Sequence, residues 1–161
     1  FDLKKLNNIN AKKLNSMKVN DVYKLITDRF KLSLNDKEQK RFKSLLPELL
    51  KRVQIYTDLE FEFDWLFQED FFCKDKNHQL QLKKSNLMLK EIGLLLKEIE
   101  WNIENIKKCI NQYILENSLT FKDIGPILRM SLTGKTNSPD LVSIIYELGC
   151  TITVNRLNYK Y

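Results

Sequence analysis

The stretch GPILRMSLTGKTNSPDLVSIIYELG, residues 125–149, decides the fold because it concentrates the residues that control backbone direction. Three of the four glycines and two of the three prolines of the chain lie within it. Apolar residues recur at helical spacing up to Gly134, and a second helix is predicted to begin at Ser138-Pro139 and to end at Gly149. Serine is a common N-cap and proline a common first helical residue. The stretch therefore predicts two short helices joined by a polar loop.

This loop and the helix before it carry side chains that suit phosphates or base edges: Arg129, Lys135, Thr136, Asn137 and Ser138. A planar guanidinium can stack on an unpaired base or donate hydrogen bonds to it. The N-terminus of the second helix would add backbone N–H groups and partial positive charge. A polar reading edge is one interpretation; the alternative for Arg129 is a surface arginine paired with Asp140 or Glu147.

The rest of the chain is also predicted to be helical. Asparagine, aspartate or threonine precedes successive apolar-periodic runs and predicts N-caps at Asn20-Asp21, Asn35-Asp36, Thr57-Asp58, Asn102 and Thr120. A helix is expected to stop before Pro47, where a new one over 47–54 would begin, because proline fits the first turn of a helix. One long helix is expected from Asp75 to about Glu98. A boundary near residues 72–77 would divide the chain into two helical subdomains.

Composition bounds the class of protein. The 161 residues form one large or two small domains, and 43% hydrophobic with 30% charged residues indicates a globular chain. No stretch has the length of a membrane span, and the first residues do not resemble a secretory signal. Cys73, Cys109 and Cys150 are odd in number and widely spaced, which predicts three reduced thiols in a cytosolic protein.

The net charge of +6 suits a polyanionic partner, which binds basic proteins with release of counterions. A chain rich in lysine and asparagine can also come from an AT-rich genome, so charge alone leaves the partner open. Residues 51–75 reverse the balance. Their acidic members Asp58, Glu60, Glu62 and Asp64 are expected to face away from any phosphate backbone.

Catalytic and metal-binding patterns are missing from the sequence. His78 stands in a polar segment and is predicted to be a solvated side chain rather than a general base. Carboxylates spaced two apart at 60, 62 and 64 do not share a helical face, so no metal site is predicted. No Gly-rich phosphate loop is present. The aromatic residues of 61–72 alternate with acidic ones, which favours core packing over base stacking.

One set of residues carries a family resemblance. Leu128-Arg129, Leu132-Thr133-Gly134, Ser138-Pro139, Leu141 and Leu148-Gly149 resemble the C-terminal anticodon-binding region of bacterial and organellar glutamyl-tRNA synthetases, or glutamate–tRNA ligases, of class I. The match extends over essentially the whole chain through Phe1-Asp2-Leu3, Lys5-Leu6, Asn10, Arg52-Val53, Leu59, Leu66-Phe67, Glu69-Asp70, Trp101 and Arg156-Leu157. Two positions depart from the family pattern. Pro126 comes one residue early, and Asp140 replaces the usual glycine, where it could weaken a base contact or cap the helix instead.

The resemblance implies an all-α fold, a two-subdomain helical cage. Residues 1–74 would lie along the anticodon stem and residues 75–161 would bind the anticodon loop of a glutamate tRNA. The family's two ATP-site signatures, a His-x-Gly-His-like motif and a Lys-Met-Ser-Lys-like loop, are not in the sequence. The chain is therefore expected to be non-catalytic and to hold no cofactor, with ATP and Mg²⁺ bound by a catalytic domain that it lacks. A cytoplasmic monomer with no DNA or membrane partner is expected.

The resemblance also implies which residues touch the RNA. Arg129 would stack on or hydrogen-bond to a base, and Ser138, Pro139 and Leu141 occupy positions that contact anticodon bases in the family. Arg52 matches an arginine that reads the third anticodon base, which is C for glutamate and G for glutamine. Two other classes stay open, a helical protein–protein interaction module and a stand-alone tRNA-binding protein of similar fold.

Overall fold

The computed structural model describes residues 11–53, 62–68 and 71–160. Helices dominate these residues and none of them lies in a β-strand, which confirms the all-α prediction. The chain divides into two compact units, Phe1–Phe67 and Gln68–Tyr161. The boundary expected after residue 74 lies a little beyond this division, since Phe71 and Cys73 pack within the second unit. The separate RNA-binding roles expected for the two parts stay a prediction.

Two longer helices and a short helical segment make up most of the described part of the first unit. Residues 11–16 are helical, α1 spans Val19–Phe30 and α2 spans Asp36–Leu50. The predicted cap at Asn35 is confirmed as a capping box, in which Asn35 and Glu38 each accept from the other's backbone N–H. The cap expected at Asn20 is wrong. Helix α1 already begins at Val19, because the amides of Asp21 and Val22 bond to the Lys18 carbonyl.

Apolar faces of α1 and α2 form the core of this unit, together with a 3₁₀ turn over Asp64–Leu66. Two phenylalanines pack tilted or edge-on against Phe42, whose ring centroid lies 5.0 Å from that of Phe63 and 5.4 Å from that of Phe67. Trp65 is fully buried, and its indole N–H donates to the Glu62 carbonyl at 2.7 Å. The prediction that the aromatic run 61–72 serves packing is confirmed for Phe63, Trp65 and Phe71.

Proline 47 does not end a helix. Helix α2 runs through it from Asp36 to Leu50, so the predicted break and the new helix over 47–54 are wrong. Pro47 itself is exposed, while Leu45, Leu46 and Leu49 on either side are buried. Burial of these leucines outweighs the hydrogen bond that proline cannot donate to the preceding turn.

Replacing Pro47 by alanine is therefore expected to stabilise the protein. Proline is about 3 kcal/mol less favourable than alanine inside a helix. This difference already includes the freer unfolded chain of alanine, so a gain of up to about 3 kcal/mol in the free energy of unfolding is expected. Urea unfolding of Pro47→Ala measures this gain. Lys40→Ala, also exposed on α2, is the control and should shift the free energy of unfolding little. A loss of stability in Pro47→Ala would contradict the account.

The second unit contains five helices among its described residues: α3 Lys76–Lys84, α4 Asn86–Lys97, α5 Ile103–Glu116, α6 Phe121–Thr133 and α7 Leu141–Leu157. Helix α7 packs against α4, α5 and α6, and it is apolar on most sides, as expected of a central helix. No helix in the described parts of the chain is long and apolar enough to cross a bilayer.

Two helix boundaries in this unit differ from expectation. The long helix predicted from Asp75 to about Glu98 is divided at Ser85, whose backbone leaves the helical region. Serine and asparagine compete with the helix for backbone hydrogen bonds, which favours a break at Ser85-Asn86. Gly149 adopts φ 79° and ψ 165°, so it interrupts α7 as predicted, but helix resumes and continues to Leu157. The caps predicted at Asn102 and Thr120 are both confirmed.

Candidate nucleic-acid interface

Helix α6 ends where the sequence predicts. Gly134 is its C-cap in the left-handed region at φ 73°, and its N–H donates to the Met130 carbonyl at 2.9 Å. The hydroxyl of Thr133 donates back to the Arg129 carbonyl and accepts from the amide of Lys135. The backbone therefore leaves the helix in one defined direction into the loop 134–140.

The start of α7 corrects the predicted cap. Ser138 is not the N-cap; Asp140 is, because its carboxylate accepts from both the amide (2.9 Å) and the hydroxyl (3.0 Å) of Ser143. The helix begins at Leu141, so Pro139 lies in the loop rather than at the first helical position. A carboxylate at a helix N-terminus also interacts favourably with the helix dipole. The capping role left open for Asp140 is therefore confirmed.

Three residues from the segment before α3 and from α3 itself hold the loop at Gly134. If residue 134 had a side chain, its Cβ would lie 3.0 Å from the Cζ atom of Phe71. A larger residue at this position would therefore collide with the ring. The Gly134 carbonyl lies 3.9 Å from the Cys73 sulfur and 3.3 Å from His78 Nδ1, and as an acceptor it takes its hydrogen bonds from them. Burial raises the pKa of the Cys73 thiol, which keeps the proton that it donates. We call these three residues the Gly134 anchor.

This arrangement revises the expectation for His78. The side chain is half-buried against Gly134 rather than solvated, and its amide donates to the Asp75 carboxylate that caps α3. That hydrogen bond is the main reason why the pKa of Asp75 lies below its usual range. Its charged form is the one that caps α3, so the cap is lost as the pH falls through the lowered pKa.

Arg156 holds the end of α6 in the same region. Arg156 is only 1% exposed. Its guanidinium donates hydrogen bonds to the carbonyls of Leu132 and Gln68. The guanidinium also lies over the Phe71 ring, with its carbon 4.8 Å from the ring centroid. Its own carbonyl accepts from the Ser131 hydroxyl at 2.9 Å. The last carbonyls of a helix lack partners within the helix, so an arginine is well suited to this end of α6. Arg156 therefore joins α7, the end of α6 and residue 68.

Replacing Arg156 by lysine should destabilise the second unit. An ammonium group cannot span both carbonyls in the plane of a guanidinium, and each buried acceptor left unpaired costs on the order of 1–3 kcal/mol. A loss of roughly 2–4 kcal/mol in the free energy of unfolding is expected on this basis. The control is Arg29→Lys on the exposed side of α1. Equal denaturation curves for the two variants would rule out the anchoring role.

The predicted contact residues fall into exposed and buried groups. Thr136 and Asn137 are exposed and Lys135 is half-buried. Ser138 is 2% and Leu141 1% exposed, and Pro139 is buried as well. Apolar surface at Leu141 is therefore taken up by the core of the unit. Base contact by these three residues stays a prediction drawn from the resemblance.

Arg129 lies on the half-buried face of α6 and reaches back along the helix. Its guanidinium carbon is 5.6 Å from the ring centroid of Phe121, two turns earlier. Phe121 itself is 45% exposed.

Arg52 belongs to the first unit, where it follows α2. Its side chain is half-buried, and its backbone amide donates to the Leu49 carbonyl. Within the described parts of the chain, no three His, Cys, Asp or Glu residues are grouped so as to hold a metal ion.

Three residues of this region make contacts that the sequence did not predict: Phe121, His78 and Arg156. Phe121, Gly125 and Arg129 recur every four residues, a signal for one helical face that could have been noticed. The buried Arg156 had a weaker signal, a basic residue inside the apolar run TITVNRL. His78 had none, because its partner Gly134 is distant in sequence.

Comparison with protein families gives a match over most of the chain. The family described as the anticodon binding domain matches residues 12–160. Among curated proteins, glutamate–tRNA ligase 1 of Bartonella henselae is 28% identical over 98% of the chain, and glutamate–tRNA ligase 2 of Bartonella quintana is 24% identical over 98%. The chain spans only 35% of the length of each of these relatives.

Solved structures give the same fold. A crystal structure of a glutamate tRNA ligase from Elizabethkingia meningosepticum, in complex with its amino acid, superposes with a TM-score of 0.78 at 19% identity. The match covers 98% of the chain and 32% of that structure. Glutamate-tRNA synthetase from Elizabethkingia anophelis gives a TM-score of 0.75 at 20% identity. The all-α fold is therefore shared with these proteins despite low identity.

Proposed function

The chain belongs to the anticodon binding domain family, and from this membership we propose that it binds the anticodon stem-loop of a glutamate tRNA as part of a glutamate–tRNA ligase. The observation that carries the proposal is the family match over residues 12–160. Relatives named glutamate–tRNA ligase align along 98% of the chain and support the choice of glutamate. In this proposal, the remaining part of such a ligase attaches glutamate to the tRNA with the use of ATP and Mg²⁺. The protein is proposed to act in the cytoplasm.

In the binding mode that we propose, different contacts supply affinity and specificity. Lysine and arginine side chains supply most of the affinity through phosphate contacts, in keeping with the net charge of +6. Unpaired bases of the loop supply specificity through stacking and hydrogen bonds to their edges. Arg129, with the exposed Thr136 and Asn137, would meet the bases. Ser138, Pro139 and Leu141 would border the bases, and their buried side chains would also keep the loop in shape.

Binding to a labelled hairpin tests the proposal. The chain is expected to bind the anticodon stem-loop of a glutamate tRNA more tightly than a hairpin with the same stem and an unrelated loop. Affinity should fall steeply as salt rises, because counterions are released on binding. Fluorescence anisotropy at several salt concentrations measures both effects. Equal affinity for the two hairpins would contradict loop recognition, and no binding to either would favour a protein–protein module.

Arg52 is the residue that we propose for reading the third anticodon base. Arg52→Gln should narrow the affinity gap between stem-loops with C and with G at that position. A bidentate arginine contact contributes about 1–3 kcal/mol to base discrimination in protein–DNA complexes, and a gap smaller by a similar amount is expected. Lys51→Gln is the matched control: it removes the neighbouring charge, and it should lower affinity for both stem-loops alike. An unchanged gap in Arg52→Gln would remove Arg52 from this role.

A further inference from the structure

We propose that Phe121 is a base-stacking residue of the RNA interface, presented on α6 by Gly125 and Arg129. The proposal rests on the proposed function, since it takes an unpaired base of the anticodon loop as the ligand. It adds a contact that neither the sequence patterns nor the family resemblance assigns. The stacking surface consists of Phe121, Gly125 and Arg129, and we call it the Phe121 platform.

The platform is a single stripe along α6. Residues 121, 125 and 129 are four apart, so they lie one above another on the helix surface. The guanidinium carbon of Arg129 lies 5.6 Å from the Phe121 ring centroid, which is within the range of a cation–π interaction. Despite this contact Phe121 is 45% exposed, so much of its surface is open to another planar group.

Because Gly125 has no side chain, the Phe121 ring can pack directly against the helix backbone. A Cβ at this position would lie 2.9 Å from Cε1 and 3.2 Å from Cδ1 of Phe121, and 3.1 Å from Nη1 of Arg129. Any side chain here would push both the ring and the guanidinium away. Glycine costs helix stability relative to alanine, so its presence in mid-helix calls for a packing reason. Close approach of Phe121 and Arg129 is such a reason.

The chemistry of the platform fits a nucleobase. Exposed aromatic rings stack on bases without regard to sequence, and an adjacent arginine strengthens the contact while its charge attracts the nearby phosphate. Gly125 lies nine residues before Gly134, about 14 Å along the helix axis. The platform lies on α6 and the loop 134–140 follows the same helix, with Arg129 as the platform residue nearest the loop.

Substitution of Phe121 separates stacking from charge. Phe121→Ala is expected to weaken binding of the glutamate anticodon stem-loop about fivefold or more. This is the loss in affinity that corresponds to the removal of one aromatic ring that stacks on a base. The slope of log affinity against log salt should stay the same, because phenylalanine carries no charge. Phe121→Tyr keeps the ring and should restore binding. Leu115→Ala, which removes another exposed apolar side chain (79% exposed), should have no effect.

Gly125→Ala gives a second test that does not depend on losing the ring. Alanine favours the helix, and the nearby atoms are the ends of movable side chains, so thermal stability should be equal or higher. Affinity for the stem-loop should nevertheless fall severalfold, because Phe121 and Arg129 must move apart. If Gly125 had a purely structural role, a Gly125→Ala variant that keeps its thermal stability would also keep its affinity for the stem-loop.

The outcomes distinguish this proposal from the proposed function. If the unaltered chain prefers the anticodon stem-loop but Phe121→Ala binds it equally well, the platform is wrong and the function stands. Weaker binding with a shallower salt slope would also overturn stacking, since the effect would then come from the charge of Arg129. If the unaltered chain shows no preference for the anticodon loop, the proposed function fails first.

Discussion

The buried guanidinium of Arg156 is the interaction on which the second unit depends. It donates to the carbonyls of Leu132 and Gln68 and lies against Phe71, so one side chain joins α7, the end of α6 and the segment before α3. A charge removed from water is costly unless polar groups surround it, and this requirement leaves little freedom in how these parts meet. The direction in which the chain leaves α6 is therefore set from within the core.

The contacts of Arg156 and Phe71 also determine the geometry of the loop 134–140. Gly134 has no side chain where the Phe71 ring lies, and its carbonyl is held by Cys73 and His78. Asp140 then begins α7 with a carboxylate cap. Between these two fixed points the exposed side chains are those of Thr136 and Asn137. A loop held at both ends loses little conformational entropy on binding, which suits recognition of a splayed RNA loop.

Local rules predicted much of this fold. The capping boxes at Asn35 and Thr120 and the left-handed glycine at 134 are signals that short sequence patterns carry. Tertiary packing decided the rest. Buried leucines keep α2 helical through Pro47, and a stronger cap at Asp140 overrides the one predicted at Ser138. For the candidate site, the sequence predicted that Arg129 lies on a helix followed by a polar loop, and the structure has this arrangement. The burial of Leu141 and the partner of His78 depend on residues distant in sequence.

The central claim is that α6 and the loop after it form the RNA-binding surface of the second unit. Nuclear magnetic resonance of the isotope-labelled chain, titrated with the anticodon stem-loop of a glutamate tRNA, tests it most directly. The account predicts that shift changes in this unit concentrate on the Phe121 ring and on the amides of Arg129, Thr136 and Asn137. Changes concentrated instead on the exposed leucines Leu80 and Leu87 of α3 and α4, with residues 121–141 unaffected, would contradict it.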